Sequence, residues 1–483
     1  MKKLAILITA VIFASCSSDL ESLNENIKDP LAVPGESLFT GAQKSLVDQV
    51  VDLNVNNNNT KLWAQYLQET TYTDESNYDQ VTRTIPEKHW SVLYKDVLKD
   101  LDEAKRVISE TTYLTAELEE LKPNKLTIIE ILNVYTYSIL VETFGDVPYS
   151  EALDINNLLP KYDDGETIYK DLIGRLTAAI SALDVNTGSF GSADRIYGGD
   201  VAQWKKFAAS LKLRMGILLS DKDAAFAKST VESAVATGVF TSNADNASYT
   251  YLGSDPNTNP IHDNLVLSGR KDFVAATTII DVMNALDDPR RPLYFTPTED
   301  GTYKGGNIGE TSSYTTYSHV SAQVEEATFP GIILDYAEVR FLLAEARARL
   351  FEVGGTPKEH YDAAITASIL DWGGTATEAA DYLAQPNVDY DLSILASTAT
   401  TPWKEVIGTQ KWIALYNRGL EAWTSIRLLD YPAMAVPTDA VSGFPNRYTY
   451  PIIEQSLNGA NYGTASAAIG GDEAETKLFW DLN

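Results

Sequence analysis

The strongest periodic segments of this chain carry apolar residues three and four positions apart, which predicts amphipathic helices. From Trp90 the apolar set runs Leu93, Tyr94, Val97, Leu101, Ala104, Val107 and Ile108, holding one face of a 3.6-residue helix. Trp204, Phe207, Ala208, Leu211, Met215 and Leu218 follow the same template, and Trp412, Leu415, Tyr416, Leu420, Trp423 and Ile426 read as a further stripe. Such stripes are core faces, not ligand platforms.

Predicted helices also come in consecutive pairs with short links, 335–351 with 358–370 and 201–220 with 223–237. In the first pair Ala344 and Ala346 permit close approach, while Tyr361, Ala364 and Ile365 face back from the second helix. A third pair, 126–143 with 166–183, is separated by a long insertion. This uneven spacing predicts an all-α fold, a degenerate tetratricopeptide-like helical-repeat scaffold with large loop-rich insertions. The insertions fall at 53–87, 184–199, 240–330 and 371–401. The longest is broken by Pro256, Pro260, Pro289, Pro292 and Pro297. Long loops in compact proteins are where function concentrates. Trp63 and Tyr66, three apart on a predicted helix, are expected in the core, and Asn56 to Asn59 form a turn or cap.

The N-terminal segment follows a different pattern. Lys2 and Lys3 precede a short apolar run from Leu4 to Phe13, then Ala14, Ser15 and Cys16. The run is too short to span a bilayer permanently. It resembles a bacterial lipobox, in which the thiol is acylated and cleavage makes the cysteine the new N-terminus, although Phe13 departs from the usual leucine-like residue. The alternative is an ordinary cleaved secretory signal with an incidental cysteine. Cys16 is the only cysteine, so no disulfide forms within the chain. Residues 1–15 are thus read as a lipoprotein signal peptide and 16–34 as a lipid-anchored tether. Residues 35–483 form one domain, since no Pro-, Gly- or Ser-rich linker divides them. Asp19 and Glu21, early in the tether, resemble the export signal of surface-exposed lipoproteins in the Bacteroidota. No later stretch is expected to be long and apolar enough to cross a membrane.

Charge narrows the partners. The net charge is −29, and removing Lys2 and Lys3 leaves 36 basic against 67 acidic residues, a net of −31. Nucleic acid and anionic headgroups would repel such a surface. Solubility alone is the plainer explanation of the same balance.

Seven strings carry a family resemblance. They are Phe144 to Ala152 (FGDVPYSEA), Trp204 to Ser220 (WKKFAASLKLRMGILLS), Asp288 to Pro292 (DPRRP), and Tyr336 to Val339 with Ala344 to Ala346. They continue with Gln410 to Tyr416 (QKWIALY), Glu421 to Trp423 with Arg427, and the series Arg447, Tyr448, Tyr450, Pro451, Glu454, Asn458, Asn461 and Tyr462. In this order they make the chain similar to the SusD/RagB nutrient-binding outer-membrane lipoproteins, in the SusD-like branch. That resemblance implies binding without catalysis. It implies lipid anchoring at the outer leaflet, exposure at the cell surface, and a partner transporter: a SusC-like TonB-dependent barrel that the lipoprotein caps as a hinged lid. Ligands would be oligosaccharides or, in RagB-like cases, peptides.

Physically, most of these residues are scaffold. Gly145 can turn the chain with positive φ after a helix, Asp146 can accept backbone N–H groups, and Pro148 stops the helix resuming. Glu345, Glu421 and Arg427 lie on otherwise apolar helices and are expected to form buried ion pairs between repeats. His89, His262, His319 and His360 are scattered without zinc-ligand spacing. No nucleophile elbow, P-loop or dinucleotide fingerprint is present. Asp163-Asp164-Gly165 reads as a turn and cap, not a calcium loop. No catalytic residue, metal or cofactor is therefore assigned.

Sugar binding calls for flat apolar faces ringed by amides, carboxylates and guanidinium groups. Tyr72, Asn77, Tyr78 and Arg83 offer that mixture in one loop region, and Tyr303, Tyr314, Tyr317 and His319 offer it in another. The second could equally be a solvent-facing strand. Two competing classes remain. A helical glycoside hydrolase would set two carboxylates about 5–10 Å apart in one cleft, and a pure protein scaffold would form no pocket from 63–83 and 303–319.

Overall fold

A computed structural model describes residues 33–482. The signal segment, Cys16 and most of the tether lie outside the described residues.

The chain opens with the Gly35–Val51 helix, which buries Phe39, Ala42, Leu46, Val47 and Val50 in the largest core. A Cβ on Gly35 would sit 2.5 Å from Ile108 Cγ1, so the close crossing of this helix against the next requires glycine. The stripe from Trp90 forms as expected. Leu93, Val97, Leu101, Ala104 and Ile108 are buried along one continuous helical run, Ile85–Ser91, Val92–Leu98 and Lys99–Glu110. Its middle segment is a wide π turn, which shifts the phase of the stripe without breaking it.

The expected pairs are present: Lys122–Phe144 packs on Gly165–Ala182, Val201–Leu218 on Ala224–Thr237, and Tyr336–Ala348 on Pro357–Asp371. Local chemistry starts five of these six helices. Asp164, Asp200, Asp223, Asp335 and Thr356 cap N-termini through side-chain acceptors, and Thr356 with Glu359 completes a capping box. Ala344 lies against Phe341, Tyr361, Ala364 and Ile365 in a satellite core, whereas Ala346 turns into the main one. Gly216 lets the second pair close, since a Cβ there would meet Val231 Cγ2 at 2.9 Å. Gly145 takes φ +90° after the Lys122–Phe144 helix, and Asp146 Oδ1 accepts the Gly165 N–H at 2.8 Å.

Several expectations are corrected. The stripe from Trp412 is two helices, Pro402–Ala414 and Gly419–Leu429, because Asn417 turns left-handed at φ +67° between them. The segment 371–401 is not a plain loop: it holds the Ala376–Leu383 and Tyr390–Ala396 helices. The helix does not resume at Pro148, as expected; that residue pairs in a short strand. The Ala116–Phe144 stretch is long and apolar enough to cross a membrane by composition, but 78% of its apolar window is buried, so it is a core helix.

Arg427 forms no buried ion pair among the described residues. Its guanidinium lies 3.6 Å over Trp423 and 4.7 Å from the Trp480 ring, and donates to the carbonyls of Glu142 and Asn446. Glu345 does pair, with Arg349 at 2.9 Å. Glu421 joins a buried network in which Arg214 and Arg418 share Glu338 at 2.6 and 2.5 Å. Burial works against the Glu338 carboxylate, but the two arginines outweigh it and hold its pKa well below the ordinary range.

Strands are few and short. Four antiparallel two-stranded pairings occur among the described residues, and two of them position the loops: Leu67–Glu69 with Phe273–Ala275, and Phe295–Thr296 with His319–Val320.

Candidate functional loop face

The pairing of Leu67–Glu69 with Phe273–Ala275 brings two distant loop regions together. In register, Glu69 faces Phe273 and Leu67 faces Ala275. The ladder continues through single bonds on both sides. Thr70 N–H donates to Asp272 O at 2.8 Å, Ser312 N–H to Thr70 O at 3.0 Å, and Ala275 N–H to Ser318 O at 2.7 Å. Gln68 is the central stitch: its amide donates to Glu310 O and its carbonyl accepts the Gly309 N–H. Residues 66–78 and 304–319, far apart in sequence, thus share one surface fixed by backbone bonds.

The candidate residues divide into two groups on it. Tyr72 is 74% exposed at φ +57°, with its ring in solvent. Tyr314 stacks on His319, with centroids 4.5 Å apart and planes within 9°. Lys271 Nζ sits 5.2 Å from the Tyr314 ring centre. Tyr317 is half-exposed beside them. Arg83 pairs with Glu75 and reaches Asn56 Oδ1 at 3.5 Å, leaving its side chain partly open. Tyr303 is held from behind by the Arg291 guanidinium, 4.9 Å from its ring, and leans on the second core.

Asn77 and Tyr78 are framework residues, contrary to expectation. Asn77 spends its amide N–H groups on Thr73 and on Gly309 O at 2.9 Å, and so ties one loop to the other. Tyr78 is 1% exposed, turned inward at φ +69° with its ring against Phe444 and its hydroxyl on Gln65 and Ala435 O. A turn that must close on itself places these side chains inside. Lys271 was missed, because nothing in the run Arg270-Lys271-Asp272 marks it. Only the register of Glu69 against Phe273 carries it to the face.

Beneath the face lies an unusual carboxyl pair. Glu69 and Glu75 are both buried, and Glu69 Oε2 accepts the Ser76 N–H at 2.9 Å. Burial, and then the hydrogen-bonded neighbour Glu75, push Glu69 up to about 9, so it is protonated at neutral pH. Rings, amides, a lysine and an arginine above such a base can stack on saturated rings and hydrogen-bond hydroxyls.

Helical pairs bearing a loop-built face define a SusD-like helical-repeat protein. A family model described as "Starch-binding associating with outer membrane" matches residues 27–451, and the chain belongs to that SusD-like family. Among solved structures, it resembles a SusD homologue from Bacteroides uniformis, 27% identical with a TM-score of 0.78, covering 92% of this chain and 99% of that one. It also resembles a chitin-binding SusD homologue from Flavobacterium johnsoniae, 25% identical with a TM-score of 0.77, covering 92% and 98%. A comparison with curated proteins finds no match.

Proposed function

We propose that this protein is a cell-surface lipoprotein, anchored through Cys16 after removal of residues 1–15, that captures an oligomeric glycan on the loop face. It passes the glycan to a SusC-like TonB-dependent transporter in the outer membrane. Residues 35–483 act as one binding domain on the 16–34 tether. The observation that carries this reading is the cross-tied loop face, which presents exposed Tyr72 and the Tyr314–His319 stack on one surface. The chitin-binding neighbour supports a glycan ligand, and family membership supports the outer-membrane setting.

The face serves binding, not hydrolysis. The Glu69 and Glu75 carboxyls are within reach of each other, but they are 3% and 1% exposed, and a general acid must touch its substrate. Shallow stacking supports affinities of about micromolar or weaker. Isothermal titration against chito-oligosaccharides, other oligosaccharides and peptides tests the ligand class, and binding of peptides alone would move the protein to the RagB-like reading. For the anchor, Cys16→Ser should release the protein from membranes of cells lacking the transporter. Retention under those conditions would remove the lipid claim.

A further inference from the structure

Away from the loop face, the end of the Pro357–Asp371 helix overhangs a cleft of about 210 Å³ that shares no lining residue with the face. The volume equals that of about seven liquid waters, enough for one six-membered ring with substituents. Trp372 and Phe329 wall it, with ring centres 5.8 Å apart, and Tyr416 closes the back at 5.6 Å from Trp372. Phe329 and Tyr416 are buried while Trp372 is half-exposed, so the indole is the ring an incoming molecule meets. Tyr294 props it edge-on at 4.5 Å.

The polar lining is strongly acidic. Asp335 is already committed: Oδ1 caps the Tyr336–Ala348 helix through Glu338 N–H, and Oδ2 lies 2.9 Å from Arg418 Nη1. Arg418 is the cation lining the cleft, and Glu338 and Glu421 also draw on it, at 2.5 and 3.7 Å. Asp371 accepts one hydrogen bond, from the Asn246 amide at 3.0 Å, and no lysine or arginine among the described residues pairs with it. Glu326 adds a further carboxylate at the rim. A flat aromatic wall therefore faces acidic groups whose only cation among the described residues is shared three ways.

We propose that this cleft binds a protonated amine carried on a saturated ring, an amino-sugar unit, with the ring against Trp372 and the ammonium on Asp371. The flat indole matches a ring face better than a thin alkyl chain, and the ammonium supplies the charge that Asp371 lacks. Although Asp371 is exposed on one side, the protein packed around it and then the Asp335 charge push its carboxyl above the ordinary range, and the attraction of Arg418 does not offset them. The cleft's chemistry is independent of what the loop face binds.

The test is calorimetric titration of the full mature chain with glucosamine, glucose and N-acetylglucosamine at low salt. Glucosamine should bind about tenfold or more tightly than either neutral sugar. Asp371→Asn still accepts from Asn246 and should abolish the preference, and Tyr314→Ala should leave it intact. Equal binding of the three sugars, or a preference that survives Asp371→Asn, overturns the proposal. A crystal of the wild-type protein soaked in glucosamine decides independently of any variant. The ammonium within hydrogen-bond distance of Asp371 supports the assignment, and an ammonium elsewhere, or an empty cleft, overturns it. Failure of the loop-face reading would appear separately, as oligosaccharide binding indifferent to Tyr72→Ala and Tyr314→Ala.

Discussion

Inside the helical body, Arg214 and Arg418 face Asp335, Glu338 and Glu421, so buried charge meets opposite charge. Under the loop face two carboxyls, Glu69 and Glu75, are buried side by side, and Arg83 pairs with Glu75. The body network names which helices meet, because each arginine fits only where its carboxylates converge. The loop face is held by backbone bonds, by the Gln68 and Asn77 side-chain amides and by one retained proton, so its rings are left to the surface. The molecule spends specificity on its frame and leaves its rings uncommitted.

The largest test of this contrast is Glu338→Ala, which leaves two buried arginines short of a partner. It should cost about 3–5 kcal/mol of stability, read from chemical denaturation. A loss below about 1 kcal/mol would erase the distinction between the two regions. Next, Tyr72→Ala and Tyr314→Ala should each weaken glycan binding by about 1–3 kcal/mol in titration calorimetry while moving stability by no more than about 0.5 kcal/mol. If both variants unfold early, the rings belong to the frame. Asn77→Ala should do the reverse at smaller scale. Losing the tie to Gly309 should cost about 1–2 kcal/mol of stability, with binding reduced only as far as the loops separate.

A further effect, of up to about 1.4 kcal/mol per pH unit, concerns protons. Glu69 titrates near the ordinary glutamate value of 4.5 when unfolded and near 9 in the fold. Between those values the folded chain holds the extra proton, so stability should fall as pH rises through that window. Glu69→Gln, neutral at every pH, should flatten the slope in denaturation curves recorded at about pH 6 and pH 9. A slope as steep as that of the wild type would place the titration elsewhere.

The long helices were legible because burial on one face imposes a period that survives any detail of the partner. The Trp90 stripe persisted even across a π turn. Legibility failed where spacing and backbone disagree. Leu415, Tyr416 and Leu420 keep helical intervals across Asn417, whose left-handed turn ends one helix before the next begins. The Ala376–Leu383 helix spans two turns and is announced by the Thr375–Glu378 capping box, not by periodicity. In the loops, the strands are two to four residues long, too short for alternation to show. Tyr72 and Tyr78 look alike in sequence, yet one stands in solvent and the other fills the interior of the turn. Trp372 belongs to no periodic stripe, and the acidic cleft beside it is assembled from the separate segments 323–335, 371–372 and 414–418.

Trp480 is fully buried beside the Arg427 guanidinium, which also lies over Trp423, while Arg447 and Tyr448 hydrogen-bond the carbonyls of Phe144 and Thr143. Arg447 thereby reaches a carbonyl 303 positions earlier in the sequence. In kinetic terms, closing the main core is dominated by contacts of high sequence separation, which slows folding. Chains that stop short of Trp480 should therefore remain open, recognisable by rapid proteolysis, however well their individual helices form.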